Sequence, residues 1–395
     1  MVRFLKSLLT IALVTSPFIF LFFYIDSNQE EQEEFDPKSQ LVENTQKPFS
    51  GLLEEDSIQE DKVRIDEEGS RIETVRSLKK AAWIPPWDYQ NALESLRNFE
   101  SEFHSISPVT FQINNDGSLT QRIDPNLEDL KEIAQQREIL LIPTISNFDS
   151  VMMKNIFDNE ENTQRHINSI LQVVNDYKYD GIDLDYEAMK KENRDDFLNF
   201  VQTLSKELKK EDKILSITVL PKWGEGVVYT GLNETREVQD WEILGKWADE
   251  VRIMAYDFTP VPSSKPGPIA PIEWVDKILE YAVKKIPKEK IWLGIHLYSY
   301  EWVIPTQESD TTDVRTNSYT YNVVKSQVLK HDYVNVQYSK EYSEGYAEYK
   351  CLGNYSCVLY YATPESVKTR KETARNYQIN GVAYWRLGGE DELIR

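Results

Sequence analysis

The chain has 395 residues, more than one ordinary domain needs, and enough for a barrel of about 250–320 residues with appendages. Its formal net charge is −21, which leaves no basic stripe to neutralise phosphates and disfavours nucleic acid as a partner. The four histidines, His104, His166, His296 and His331, are scattered without paired spacing, so no metal site and no cofactor are expected.

The first element in chain order is apolar. Arg3 and Lys6 precede a run from Ser7 to Ile25, and acidic residues follow it. Nineteen residues at about 1.5 Å each can cross a hydrocarbon core of roughly 30 Å. Positive residues before the run and acidic ones after it predict an N-inside, C-outside orientation. The run ends in FLFFYI without an A-x-A cleavage site, so residues 1–25 read as an uncleaved membrane anchor rather than a cleaved signal peptide. Either reading exports the remainder; the anchored one attaches it to the membrane through residues 7–25.

Residues 26–77 form an acidic tether. Sixteen Asp and Glu against five Lys and Arg fall in residues 26–75, with little apolar periodicity to support a core. From residue 78 onward short apolar runs alternate with amphipathic stretches. Strands are predicted at KAAWI, PVTFQI, EILLIP, YDGIDLDYE, ILSITVL, EVRIMAYD, IWLGIHLY and NGVAYW. Between them lie helical patterns such as NTQRHINSILQVVNDY and EWVDKILEYAVKKI. Eight strands alternating with helices predict an α/β fold, a (β/α)8 TIM barrel over residues 78–395. An open doubly wound sheet is the alternative, weakened because no Gly-rich phosphate turn follows the first strand. A Tyr-rich, β-prone insertion is expected at about 303–360, between the seventh and eighth strands. Within it lie Cys351 and Cys357, which close a short loop if the compartment is oxidising and stay reduced otherwise.

The fourth strand carries the chemistry. Asp183, Asp185 and Glu187 alternate with Ile182, Leu184 and Tyr186, so the carboxylates share one strand face and the apolar residues the other. In a barrel the acidic row points inward, and neighbouring like charges disfavour ionising all three. One protonated carboxyl near neutral pH is what a general acid requires, and Glu187, last in the row, falls at the C-terminal mouth. A calcium site would need loop spacing that this stretch lacks. A salt-bridged core would need inward cations, for which Arg252 and Arg386 are the candidates.

The stretch DGIDLDYE resembles the D-G-x-D-x-D-x-E signature of family 18 glycoside hydrolases, the chitinase-like barrel enzymes, with matches at Asp180, Gly181, Asp183, Asp185 and Glu187. RIMAYDF resembles the family's sixth-strand motif at Met254, Tyr256 and Asp257, and GVAYWRLGGED its eighth-strand segment ending in Trp385. The stretch PGPIAPIEWVDKILEYAVKKIP is similar to the branch of spore-germination and peptidoglycan N-acetylglucosaminidases. The resemblance implies a retaining, substrate-assisted glycosidase acting on β-1,4-linked N-acetylglucosamine polymers, peptidoglycan or chitin-like. Glu187 is then the acid, Asp185 holds the substrate acetamido group, Asp183 shares a proton with Asp185, Tyr256 binds the acetamido carbonyl, and Trp385 floors the sugar. Taken alone, Tyr256 and Trp385 also read as core aromatics, and Asp257 as either a sugar contact or a structural residue. Asp180, of opposite parity, is expected to support the strand start. Tyr298, Trp302 and Trp83, with Trp87 and Trp223 ranked lower, sit near strand C-termini as further substrate contacts. A catalytically weak, carbohydrate-binding lectin of the cell envelope is the alternative to an enzyme. A monomer is expected, exported and anchored with the barrel on the extracytoplasmic side.

Overall fold

Each apolar run becomes a strand because two layers compete for it, the barrel interior and the surrounding helices. The structure, a computed structural model, describes residues 77–394 apart from 99–102, 125–126, 228–232, 307–313, 332 and 352. The expected membrane segment at 1–25, and the tether up to residue 76, lie outside the described residues. Among the described residues, no helix is long and apolar enough to cross a membrane.

Eight strands make the barrel: β1 (Lys79–Ile84), β2 (Ser105–Ile113), β3 (Thr144–Asn147), β4 (Gly181–Tyr186), β5 (Ile214–Val219), β6 (Glu250–Ile253), β7 (Ile291–His296) and β8 (Gly381–Trp385). Each pairs in parallel with the next, and β8 returns to β1. Closure of the ring excludes the open-sheet alternative. Outside it pack helices such as Glu160–Asp176, Arg194–Lys209 and Ile272–Lys285, each burying one apolar face. Asn159 caps the first of these through Asn162 N–H, and Thr363 forms a capping box at the start of Pro364–Asn376.

Three expectations are corrected. The third strand begins later than EILLIP: only Leu140 and Leu141 pair with β2 there, and β3 itself starts at Thr144 after Pro143, whose missing N–H interrupts a ladder. The sixth strand ends at Ile253, so Met254 to Asp257 lie beyond it, and Asp257 turns with φ 61°. The insertion starts at Tyr298 rather than near 303, one residue after β7 ends. It is a five-stranded antiparallel sheet in the order Arg315–Thr320, Tyr298–Pro305, Tyr355–Tyr361, Glu344–Lys350, Asn335–Ser339. Cys351 and Cys357 are disulfide-bonded with Cα atoms 5.8 Å apart, which closes the hairpin between Glu344–Lys350 and Tyr355–Tyr361. After β8 a single helical turn, Asp391–Ile394, buries Leu393 and Ile394.

The barrel floor explains the fate of one candidate cation. Arg252 is fully buried and bonds Glu250 at 2.7 Å, Ser107 at 2.6 Å and Ser105 at 3.2 Å, with Trp83 and Trp292 stacked within 6 Å of its guanidinium. Its charge is committed to Glu250. Arg386 likewise bonds Asp88.

Gly181 opens β4 and pairs with Ile214 of β5. A Cβ there would stand 2.3 Å from Ile214 O, a backbone atom that cannot step aside. Gly181→Ala is expected to lower stability by about 1–3 kcal/mol, read by chemical denaturation, because the overlap must be relieved by shifting a barrel strand.

Candidate active site

Alternation along β4 places successive side chains on opposite layers, and the structure keeps that division. Ile182, Leu184 and Tyr186 are buried towards the helices, where Tyr186 Oη meets His166 Nε2 at 2.6 Å on helix Glu160–Asp176. Asp183 is fully buried in the barrel interior. It accepts hydrogen bonds from Trp83 Nε1 at 3.0 Å, Thr144 Oγ1 at 2.9 Å, Ser216 Oγ at 2.7 Å and Thr218 Oγ1 at 3.1 Å. Those donors come from β1, β3 and β5, so one carboxylate joins three strands to its own.

One step outward, Asp185 is left incomplete. Its Oδ1 is buried without a hydrogen-bond partner, and so is Ser146 Oγ, on the residue paired with Asp185 across β3 and β4. Burial first, then the charges of Glu187 and Asp183, push the Asp185 carboxyl well above its ordinary range. The proton sharing implied between Asp183 and Asp185 is not made through Asp185 Oδ1, because Asp183 is occupied by hydroxyl and indole donors.

Glu187 follows at the strand end, part-exposed at the mouth. Burial pushes its pKa up to about 8, Asp257 adds to the rise, and Arg236 opposes it. Helix Asn233–Val238 is stitched to this strand end: Thr235 Oγ1 accepts from Met189 N–H at 2.9 Å, and Gln239, just past the helix, donates to Tyr186 O at 3.2 Å. Tyr256 is buried among Asp185, Asp257 and Glu187, whose charges raise its phenol further after burial has done so. Met254 is buried beside it, and Gly294 on β7 gives room for the Tyr256 ring, at 3.1 Å from where a Cβ would stand.

Asp257 sits at the rim, open to solvent on one side and enclosed by protein on the other. Enclosure raises its pKa, and bonds from Tyr298 and Tyr300 pull it back. Both hydroxyls reach the same oxygen, Oδ1, with Tyr300 at 2.8 Å. Trp385 is half-buried, with Trp83 edge-on at 6.2 Å and Trp87 at 6.5 Å, and its peptide to Arg386 is cis. Trp87 is half-buried as well.

Aromatic expectations divide at this point. Trp302 is fully buried and donates to Ser263 O at 3.1 Å, so its ring props the insertion sheet against the loop after β6 instead of facing ligand. Trp83 is buried under Asp183 and acts from below. Trp223 packs edge-on to Trp274, on the helix Ile272–Lys285 outside the barrel. Asp180 accepts from Leu141 N–H at 2.8 Å and holds the start of β4, as its parity predicts. Tyr300, Ser146 and Arg236 were not singled out from the sequence. Tyr300 alone carried a signal there, since it shares its strand parity with Tyr298 and Trp302.

Residues 88–390 match the family described as Glycosyl hydrolases family 18. The chain belongs to glycosyl hydrolases family 18. It is a glycosidase of the chitinase and N-acetylglucosaminidase type, related to spore cortex-lytic enzymes and chitinases. It is 26% identical over 305 residues to the uncharacterized glycosylase YvbX of Bacillus subtilis, covering 75% of this chain and 84% of that protein. It is 22% identical over 321 residues to the cortical fragment-lytic enzyme of Bacillus subtilis, covering 79% of this chain and 72% of that one. The crystal structure of the Bacillus cereus spore cortex-lytic enzyme SleL superposes with a TM-score of 0.70 at 21% identity, over 82% of this chain and 75% of that chain, a likeness of fold.

The raised carboxyl of this glycosidase has a thermodynamic signature. Glu187 binds its proton more tightly folded than unfolded, so stability falls as pH rises from about 4.5 to about 8. Glu187→Gln cannot ionise, and it is expected to melt at a higher temperature than wild type at pH 8.5. Scanning calorimetry at several pH values should show that gap close as pH approaches 5.

Proposed function

We propose that the chain is a retaining, substrate-assisted hydrolase cleaving β-1,4 linkages in N-acetylglucosamine-containing polymers, with peptidoglycan the favoured substrate. The observation that carries this reading is the buried Asp185 Oδ1, an acceptor with no hydrogen-bond partner, two residues from Glu187, whose pKa burial pushes up to about 8. A buried polar atom left unsatisfied costs free energy until a ligand satisfies it, and the acetamido N–H of the substrate supplies the missing donor.

The residues then divide the work. Glu187 gives its proton to the glycosidic oxygen as the bond to the anomeric carbon breaks. The substrate's acetamido oxygen attacks that carbon from the opposite face, and Asp185 accepts the acetamido N–H while balancing the developing positive charge. The Tyr256 hydroxyl donates to the acetamido oxygen and fixes its line of attack. Water then opens the oxazolinium-type intermediate, and ionised Glu187 takes the water's proton, which returns the acid to its starting state. Asp183 supports this from below by holding β4 in place. Trp385, with Trp87 edge-on behind it, supplies an apolar floor for the sugar face.

Peptidoglycan is favoured because relatives matching most of the chain are named as acting on cortex fragments, and because an anchor at residues 7–25 with a short acidic tether would hold the barrel near the wall. The same segments support an exported protein fixed to the outer side of the membrane. Among the described residues no group of His, Cys, Asp and Glu is set to hold a metal ion, and the chemistry above needs none.

The full chain is expected to release reducing ends from peptidoglycan or N-acetylglucosamine oligomers, and Glu187→Gln to lose at least about 10³-fold in kcat while still binding the glycan. Tyr256→Phe should lose about 10²-fold in kcat with a smaller change in KM. Binding without cleavage by the wild type would replace the hydrolase with a lectin.

A further inference from the structure

The insertion sheet enters the catalytic site through one strand face. Tyr298, Tyr300 and Trp302 alternate along Tyr298–Pro305, so their side chains leave the strand on the same side. All three engage the segment that follows β6. Trp302 Nε1 donates to Ser263 O at 3.1 Å, and the Tyr298 and Tyr300 hydroxyls both donate to Asp257 Oδ1. The two phenol rings pack at 5.1 Å, and Tyr298 meets Tyr256 edge-on at 6.2 Å. Asp257 is a non-glycine residue at φ 61°, a conformation that needs its surroundings to hold it.

We propose that Tyr300 is a positioning residue for this glycosidase: its bond to Asp257 Oδ1, made jointly with Tyr298, fixes the carboxylate that neighbours Glu187. The inference rests on the assignment of Glu187 as the acid. It adds a device that β4 does not contain, a clamp reaching the acid from the insertion sheet through a rim carboxylate.

The electrostatic consequence has a definite sign. Asp257 is faced by Tyr298 and Tyr300 from the insertion, by Tyr256 from its own segment, and by the Glu187 carboxyl across the mouth. Glu187 is faced by Asp257, which raises its pKa, by Asp185 beside it, and by Arg236 from helix Asn233–Val238, which lowers it. Removing one tyrosine hydroxyl loosens Asp257 and raises its own pKa, so less negative charge stands beside Glu187. The Glu187 pKa must then fall.

The test is Tyr300→Phe in the full chain, which keeps the ring, with Ser299→Ala on the opposite face of the same strand as the control. The Ser299 hydroxyl donates to Tyr319 O at 3.0 Å, within the sheet. Two readouts are taken. The first is the alkaline limb of kcat against pH on peptidoglycan fragments. The second is the Glu187 titration followed by 13C-carboxyl NMR of glutamate-labelled protein, assigned by difference from Glu187→Gln. Tyr300→Phe is expected to move both to lower pH by about half a unit to one unit, with Ser299→Ala at wild-type values. An unmoved Glu187 titration in Tyr300→Phe would overturn the clamp, and an equal shift in Ser299→Ala would assign the effect to the sheet as a whole and overturn it too. Because the NMR titration needs no turnover, a wild type without hydrolytic activity would sink the hydrolase reading while the clamp is still judged.

Discussion

A carboxylate buried at the centre of a barrel is costly unless its oxygens are bonded, and Asp183 meets that cost with donors from three other strands. Trp83 on β1, Thr144 on β3, and Ser216 and Thr218 on β5 converge on it within 3.1 Å. The register of β4 against its neighbours follows from this convergence. A slip of one residue would turn Asp183 towards the helices and Leu184 inward, leaving five polar side chains without partners. The two carboxyls nearest the mouth are carried on that registered strand, because Asp185 and Glu187 stand at fixed steps of two from Asp183.

The three carboxyls of β4 are alike in chemistry and differ through their surroundings. Asp183 is surrounded by donors, Asp185 has one buried oxygen with no partner, and Glu187 is part-exposed beside another acid. The proposed substrate-assisted reaction would use that gradient: a fixed anchor, a vacant acceptor, and a carboxyl that holds its proton. Tyr256 and Asp257 close the arrangement from beyond β6. The barrel therefore supplies the precision, and short irregular segments past its strand ends supply the remaining groups.

The insertion is more than an appendage on the connection between β7 and β8. Its first strand starts with only Leu297 between it and β7, and it lays Tyr298, Tyr300 and Trp302 against the segment after β6. Glu344, from the same sheet, is fully buried and accepts from the Ile269 and Ala270 N–H groups and from Arg370 at 2.9 Å. A second tie thus holds the far end of the loop that carries Asp257. Those bonds turn a long loop, otherwise a source of conformational freedom, into a wall of the site.

Much of this was written in local pattern. Period-two alternation in DGIDLDYE put Asp183, Asp185 and Glu187 on one face, and the alternation of strands with amphipathic helices marked the barrel, because both signals depend on neighbours within a few residues. The opposite parity of Asp180 likewise marked it as a support for the strand start, and the structure supplies the partner, Leu141 N–H. What the sequence could not decide was which aromatic ring meets solvent and which partner each charge takes. Trp302 and Trp83 look the same as Trp385 in composition, yet two are buried and one is half-exposed. Arg252 was a plausible partner for the acidic row until Glu250, two residues away on β6, was seen to hold it. Tyr300 owes its place beside Asp257 to contact between elements 43 residues apart. Burial and pairing across such separations arise only when strands and insertion close on one another, so the sequence by itself determined the row of acids, and the tertiary structure decided what stands around each of them.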